Sequence, residues 1–212
     1  MTTQTRFQRF AFAAVLSLAL TPPVVAQRTA VANDTPRIFA ALELEEGQTV
    51  GEIGAGAGEQ TLDAARKVGA TGKVYSSELG ESGVDRLKRA VQASGLTQIT
   101  VVEGDPNKTN FPDNCCDAIF MHNVYHHFAD PAAMDASIFR ALKPGGRVAV
   151  VDFTPNRNRP ETARPQDRAN DESHGVTPAS VERELKAAGF EIVKSDPEQD
   201  RWFMVVGLKP KS

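Results

Sequence analysis

Cysteine is nearly absent. Cys115 and Cys116 stand side by side, and they are the only two. That excludes a disulfide framework, because adjacent cysteines close only a strained ring and no third is available. The pair is expected in the core or at a strand edge. Metal-ligand spacing is absent too. Zinc sites use pairs such as C-x2-C or H-x3-H; Cys115, Cys116, His122, His126, His127 and His174 do not match, so no metal is expected. Excess positive charge is missing, with 24 basic against 27 acidic side chains. Without a basic face, nucleic-acid binding is disfavoured. There is no internal repeat and no low-complexity tract.

Long apolar runs are also missing. The one continuous run, Phe10 to Leu20, is too short to span a bilayer, which takes about 20 residues. Arg6 and Arg9 precede it, Pro22-Pro23 breaks it, and Val24-Val25-Ala26 offers small residues for cleavage. These are the parts of a secretory signal peptide. Residues 1–26 are therefore expected to be removed on export to the periplasm or beyond, with an uncleaved N-terminal membrane anchor as the alternative. After cleavage no stable membrane insertion is expected. The mature chain would carry 22 basic and 27 acidic side chains. Residues 27–34 read as a linker and 35–212 as one domain, in keeping with the length. Oligomeric state is not legible.

What is present is organised around Thr49 to Glu59. Val50 to Ile53 reads as a short buried strand, Gly54, Gly56 and Gly58 make a tight turn, and a helix over Gln60–Val68 puts Leu62, Ala65 and Val68 on one face. Strand, glycine turn and helix open a nucleotide-binding α/β domain. Spacing then selects the ligand. Glu59 stands where a dinucleotide fingerprint needs its third glycine, and Glu52 precedes the turn. A carboxylate there suits a cationic amino-acid ligand better than a pyrophosphate. Glu78 lies 20 residues beyond Gly58, at the end of a second strand over Gly72–Leu79. An acid at that distance either binds ribose hydroxyls or is a solvated strand end. Ile99 to Glu103 is a third strand, ending in Gly104-Asp105-Pro106. Ala118 to Met121 is a fourth, Arg147 to Phe153 a fifth, and Phe190–Val193 and Trp202–Leu208 the last two. Asp34-Thr35-Pro36, Asp130-Pro131 and Thr177-Pro178 read as helix starts. The second helix so capped carries Met134, Ile138, Ala141 and Leu142 on one face. Residues 154–176 lack apolar periodicity and read as a long loop. Its arginines, among them Arg164, either clamp an anionic acceptor or are solvated beside the interleaved acids.

The E-x-G-x-G-x-G stretch, Glu52 to Gly58, resembles motif I of the class I S-adenosylmethionine-dependent methyltransferases. The run D-A-I-F-x-x-N-V-Y-H-H-F-x-D-P and the later A-L-K-P-G-G-R-V-A-V-V-D-F resemble small-molecule enzymes of that family. The passage from His174 to Phe190 resembles exported bacterial methyltransferase-like proteins. The resemblance implies a three-layer αβα Rossmann-like sandwich with a seven-stranded, mostly parallel sheet and an antiparallel last strand beside the fifth. It implies S-adenosyl-L-methionine as cofactor and a small molecule as acceptor. Glu52, Gly54, Gly56 and Gly58 would hold the methionine end with Asn123 in reach of it, Glu78 the ribose and Asp105 the adenine, with Ala55, Leu79 and Pro106 also against the cofactor. The prolines of the N-P-P-Y signature of nucleobase and glutamine methyltransferases are missing at Asn123-Val124-Tyr125-His126. A binding protein without turnover and a NAD(P)-dependent oxidoreductase are the alternatives.

Methyl transfer from a sulfonium asks chiefly for alignment, worth up to roughly 7–11 kcal/mol in intramolecular analogues. A general base adds about 10²–10⁴-fold where it is used. His127 is the candidate base, ahead of His126, since histidine titrates near neutral pH. Tyr125, with Phe128, is expected beside the sulfonium or the acceptor. The alternative is that the histidine pair only packs or caps the next helix.

Overall fold

Alternating apolar residues that find cover on both sides become the central strands of a parallel sheet. The computed structural model describes residues 34–155, 164–169, 175–197 and 201–211. The expected signal peptide and all of the expected linker except Asp34 lie outside the described residues, as does His174. The strands are β1 (Thr49–Ile53), β2 (Lys73–Glu78), β3 (Ile99–Glu103), β4 (Cys116–His122), β5 (Leu142–Phe153), β6 (Glu191–Pro197) and β7 (Trp202–Leu208). The helices are α1 (Thr35–Ala41), α2 (Glu59–Val68), α3 (Glu81–Ser94), α4 (Pro131–Ala141), α5 (Pro165–Ala169) and α6 (Pro178–Ala187).

The sheet order is β3-β2-β1-β4-β5-β7-β6. Pairing is parallel from β3 to β5, and β7 is antiparallel to both β5 and β6. One face packs Ile119, Met121, Val148, Val150, Phe203 and Val205 against Met134, Ile138 and Leu185 of α4 and α6. The other packs Val50, Phe120, Val151 and Met204 against Ile38, Phe39, Ala65 and Val68 of α1 and α2. This is the expected αβα sandwich. The chain runs outward from β1 to β3 and returns to β4 on the other side. Ligands of such sheets bind at the carboxyl ends of the strands flanking that reversal.

Caps follow the proline signals. Asp130 accepts from the Ala133 N–H at 3.0 Å and Thr177 from the Ser180 N–H at 3.2 Å, each with proline in the first turn. Four expectations need correction. Leu142 does not end the α4 face; it begins β5, opposite Cys116, where its side chain is equally buried. The buried face of α2 is Thr61, Ala64, Ala65 and Val68, and Leu62 is only half-buried. The stretch 154–176 is not all loop, since α5 lies within it against the turn after β4. Cys115 and Cys116 are joined to each other, at the entry to β4 where the register slips before Ala118. No described helix is long and apolar enough to cross a membrane.

Candidate active site

The site begins with the turn after β1. Gly54 has φ +74° and Gly56 φ +56°, a region that glycine enters without penalty. A Cβ on Gly54 would stand 2.4 Å from Val124 Cγ2, so the turn lies directly against the segment leaving β4. A Cβ on Gly56 would meet nothing within 4 Å, so Gly56 faces open space. The N–H groups of Gly54 and Ala55 donate to the Ser77 carbonyl at 2.9 and 3.0 Å, anchoring the turn to β2. Gly58 then caps α2 in the left-handed region.

Glu78 closes the turn from the next strand. Its Oε2 accepts from the Gly56 N–H at 2.5 Å and its Oε1 from the Leu79 N–H at 2.9 Å. Leu79 itself is 54% exposed, an unusual state for leucine, and a Cβ on Gly104 would stand 3.2 Å from its Cδ2. Asp105 follows, its Oδ1 accepting from the Asn107 N–H at 2.9 Å. The turn, Glu78, Leu79 and Asp105-Pro106 thus line the carboxyl ends of β1, β2 and β3. Asn123 lies at the carboxyl end of β4 with φ +62°, a conformation asparagine tolerates, and its N–H donates to the Val151 carbonyl.

Glu52 differs from expectation. It shares a strand face with Val50, so its carboxyl points into the sheet–α2 layer and is buried. Thr61 Oγ1 donates to Oε2, and Ser76 Oγ lies 3.3 Å from the same oxygen. Its side chain braces the turn from beneath. Burial raises its pKa from 4.5 to about 7, against the opposing pull of the two hydroxyl bonds. A carboxyl raised in this way favours folding while protonated. That contribution is whole below pH 4.5 and is lost as the pH rises through about 7. At roughly 1.4 kcal/mol per unit, the loss comes to about 3 kcal/mol. The gap in unfolding free energy between Glu52→Gln and wild type is therefore expected to widen in favour of the variant by about 2.5 kcal/mol between pH 5 and pH 8, part of the loss having occurred already at pH 5. Urea melts at the two pH values measure it, and a constant gap would refute it.

The segment after β4 sorts its side chains differently from the sequence-based expectation. Tyr125 is fully buried. Its hydroxyl donates to Asp135 Oδ2 at 2.7 Å, with Glu184 Oε2 at 3.1 Å, and so ties α4 and α6 to the 3₁₀ turn Tyr125–His127. Burial and the two carboxylates push its pKa well above 10. Its hydroxyl braces the two helices, and its ring lies in the core and not at an open face. Phe128 packs on it within the core, with ring centroids 5.0 Å apart. His126 is buried as well, its Nδ1 2.9 Å from Oδ1 of the buried Asp152, whose Oδ2 accepts the His126 N–H. His127 is exposed, its ring 3.9 Å from that of His126. The paired histidines are thus one anchor and one surface ring.

Sequence reasoning missed Asp152. Its signal was an acid inside an otherwise apolar strand, which must find a partner when buried. It also missed the group at the end of β4. His122 Nε2 lies 3.3 Å from Asp34 Oδ2, and the imidazole stacks on Trp202 at 5.1 Å and 9°. Asp34 stands at the start of α1 but makes no side-chain cap bond there. Arg164 pairs with Asp167 at 2.9 Å, in keeping with the solvated alternative for that stretch. Among the described residues no three His, Cys, Asp or Glu side chains gather as metal ligands.

Residues 51–150 match the family described as the methyltransferase domain. Over 112 residues the chain is 31% identical to the ubiquinone/menaquinone biosynthesis C-methyltransferase UbiE of Escherichia coli. That match takes in 52% of this chain and 45% of the relative, so the chain spans about half the length of the curated relatives it matches. A crystal structure of an S-adenosylmethionine-dependent methyltransferase from Aquifex aeolicus superimposes with a TM-score of 0.70 at 26% identity, covering 83% of this chain and 89% of that one. The [4+2]-cyclase SpnF also superimposes at 0.70, with 16% identity over 84% of this chain and 81% of that one, which is likeness of fold alone.

Proposed function

We propose that the chain is a class I S-adenosylmethionine-dependent methyltransferase that moves the methyl group of that cofactor to a small-molecule acceptor by in-line displacement, a reading supported by the methyltransferase-domain match and by the relatives. The observation that carries the cofactor assignment is the pairing of an open Gly56 with the Glu78 carboxylate at one strand edge. In this reading Gly54, Ala55, Gly56, Gly58 and Asn123 surround the methionine end, and Glu52 supports the turn from below. Glu78 takes the ribose hydroxyls. Leu79, Asp105 and Pro106 receive the adenine, the exposed leucine offering an apolar face and the aspartate an acceptor for the exocyclic amine.

Calorimetry tests it. S-adenosylmethionine and S-adenosylhomocysteine are expected to bind saturably, and NADH is not. Hydrogen bonds to a charged group are worth about 1.5–3 kcal/mol. Glu78→Ala is therefore expected to weaken S-adenosylhomocysteine binding by roughly 10–150-fold. Wild-type affinity in that variant, or saturable NADH binding, would overturn the assignment.

We propose further that residues 1–26 direct export, a reading supported by their charge, apolar run and small-residue site. The exported protein is then expected to begin at Gln27 on N-terminal sequencing. An intact Met1 on membrane-bound protein would support the anchor instead. The acidic balance and the absent N-P-P-Y prolines support a small acceptor over a nucleic acid.

A further inference from the structure

We propose that His122 is the general base of this site, that Asp34 is its positioning residue, and that the acceptor is a phenol-class hydroxyl which must lose its proton on methylation. The inference rests on the methyl-transfer reading. Its observations are separate from those that carry that reading.

His122 is the last residue of β4, level with Val151 of β5. The register of β1 on β4 pairs Ile53 with Met121, so the next residue up, Gly54, lies level with His122. The imidazole therefore stands one strand away from the glycine turn, at the edge where the sulfonium is expected. It is held on two sides. Asp34 Oδ2, 88 residues away in sequence, meets Nε2 at 3.3 Å, and the indole of Trp202 lies nearly parallel to the ring. A carboxylate on Nε2 selects the tautomer with its proton there, leaving the Nδ1 lone pair as the base. Nδ1 has no hydrogen-bond partner among the described residues, and 19% of the side chain is open, whereas His126 is 1% open and its Nδ1 is taken by Asp152.

The charged surroundings are few. Asp34 faces the ring from α1, with Arg37 Nη1 3.6 Å from its other oxygen. β5 flanks it with apolar Val151 and β1 with the backbone of Gly54. Arg201, which precedes Trp202, lies over the Phe153 ring at 5.5 Å. Rings continue along the edge: Phe153 meets Trp202 at 5.7 Å and His126 meets Phe153 at 4.9 Å. A wall of rings favours a planar aromatic acceptor.

The step balances without another reactant. The hydroxyl oxygen attacks the methyl carbon, an O–C bond forms, and the C–S bond breaks with its electron pair retained on sulfur. The hydroxyl proton passes to His122 Nδ1 and later to water. The products are a methyl ether and S-adenosylhomocysteine. The imidazolium so formed lies between a carboxylate and an indole face, both of which attract a cation.

Trp202 is the only tryptophan, so intrinsic fluorescence reports directly on this stack. Wild-type emission is expected to differ from that of His122→Gln, which removes the ring stacked on the indole, and Asp34→Asn, which alters the contact to Nε2, should fall between them. Transfer is then measured as S-adenosylhomocysteine release with phenol, catechol and 4-nitrophenol as probes. His122→Gln is expected to lower kcat by about 100-fold or more for phenol and catechol, with KM little changed. The loss should be much smaller for 4-nitrophenol at pH 9, where that probe is already ionised. Four results would overturn the proposal: equal losses across probes, no transfer to any phenol while S-adenosylhomocysteine binds normally, a loss confined to His127→Gln, or weakened cofactor binding in His122→Gln. Absent cofactor binding by wild type would instead sink the methyl-transfer reading. A fifth, identical emission from wild type and His122→Gln, would refute the stack as the reporter and the proposal with it.

Discussion

Gly54→Ala is expected to weaken S-adenosylhomocysteine binding by at least about 30-fold. Two costs combine. The new Cβ would stand 2.4 Å from Val124 Cγ2, and relieving such a clash costs typically 1–3 kcal/mol. The backbone at φ +74° adds roughly 1–2 kcal/mol for any residue with a side chain. The turn escapes both by leaving its position, and with it go the N–H groups that would face the ligand. The clashing atom belongs to a side chain, so Gly54→Ala with Val124→Ala should recover part of the affinity. The backbone cost stays. Calorimetry on both variants, with melting temperatures to confirm folding, separates the two terms. Affinity within threefold of wild type in the single variant would show that the turn does not contact the ligand.

Asp152→Ala is expected to lower the melting temperature by roughly 6–20 °C. Asp152 is fully buried and accepts from three donors: the His126 N–H at 3.1 Å, His126 Nδ1 at 2.9 Å and the Phe153 N–H at 2.8 Å. Unpaired buried donors cost about 1–3 kcal/mol each, and breaking a buried charged pair about 3–5 kcal/mol in all. In a chain of this size each kcal/mol shifts the melting temperature by about 2–4 °C. Asp152→Asn keeps one acceptor oxygen and should lose less. A shift under about 3 °C in the alanine variant would mean that the 3₁₀ turn is held by other contacts.

The fold was legible because its signals are local. β4, β5 and β7 are buried on both faces, and only a run of apolar residues can occupy such a strand. Asp130-Pro131 and Thr177-Pro178 announce helix starts within four residues. Leu142 was misread because a helix end and a strand start bury it equally well. The site was legible where backbone shape and spacing define it, at Gly54 to Gly58 and at Glu78. It was not legible where a side chain's partner is distant in sequence. Strand parity directs Glu52 inward to Thr61, whereas its place before the glycines suggested the ligand. Asp34 has the form of a cap, yet its carboxylate turns to His122. Tyr125 sits in a motif of polar aromatic residues, yet Asp135 and Glu184 draw its hydroxyl into the core.

Glu78 grips the Gly56 amide, so the chain's own side chain fixes the bend. The bend is thus preorganised, and its ordering belongs to folding and not to ligand capture. An arriving nucleoside meets a rigid surface, so its capture should follow a single bimolecular phase whose rate rises linearly with concentration, without a plateau from slow rearrangement.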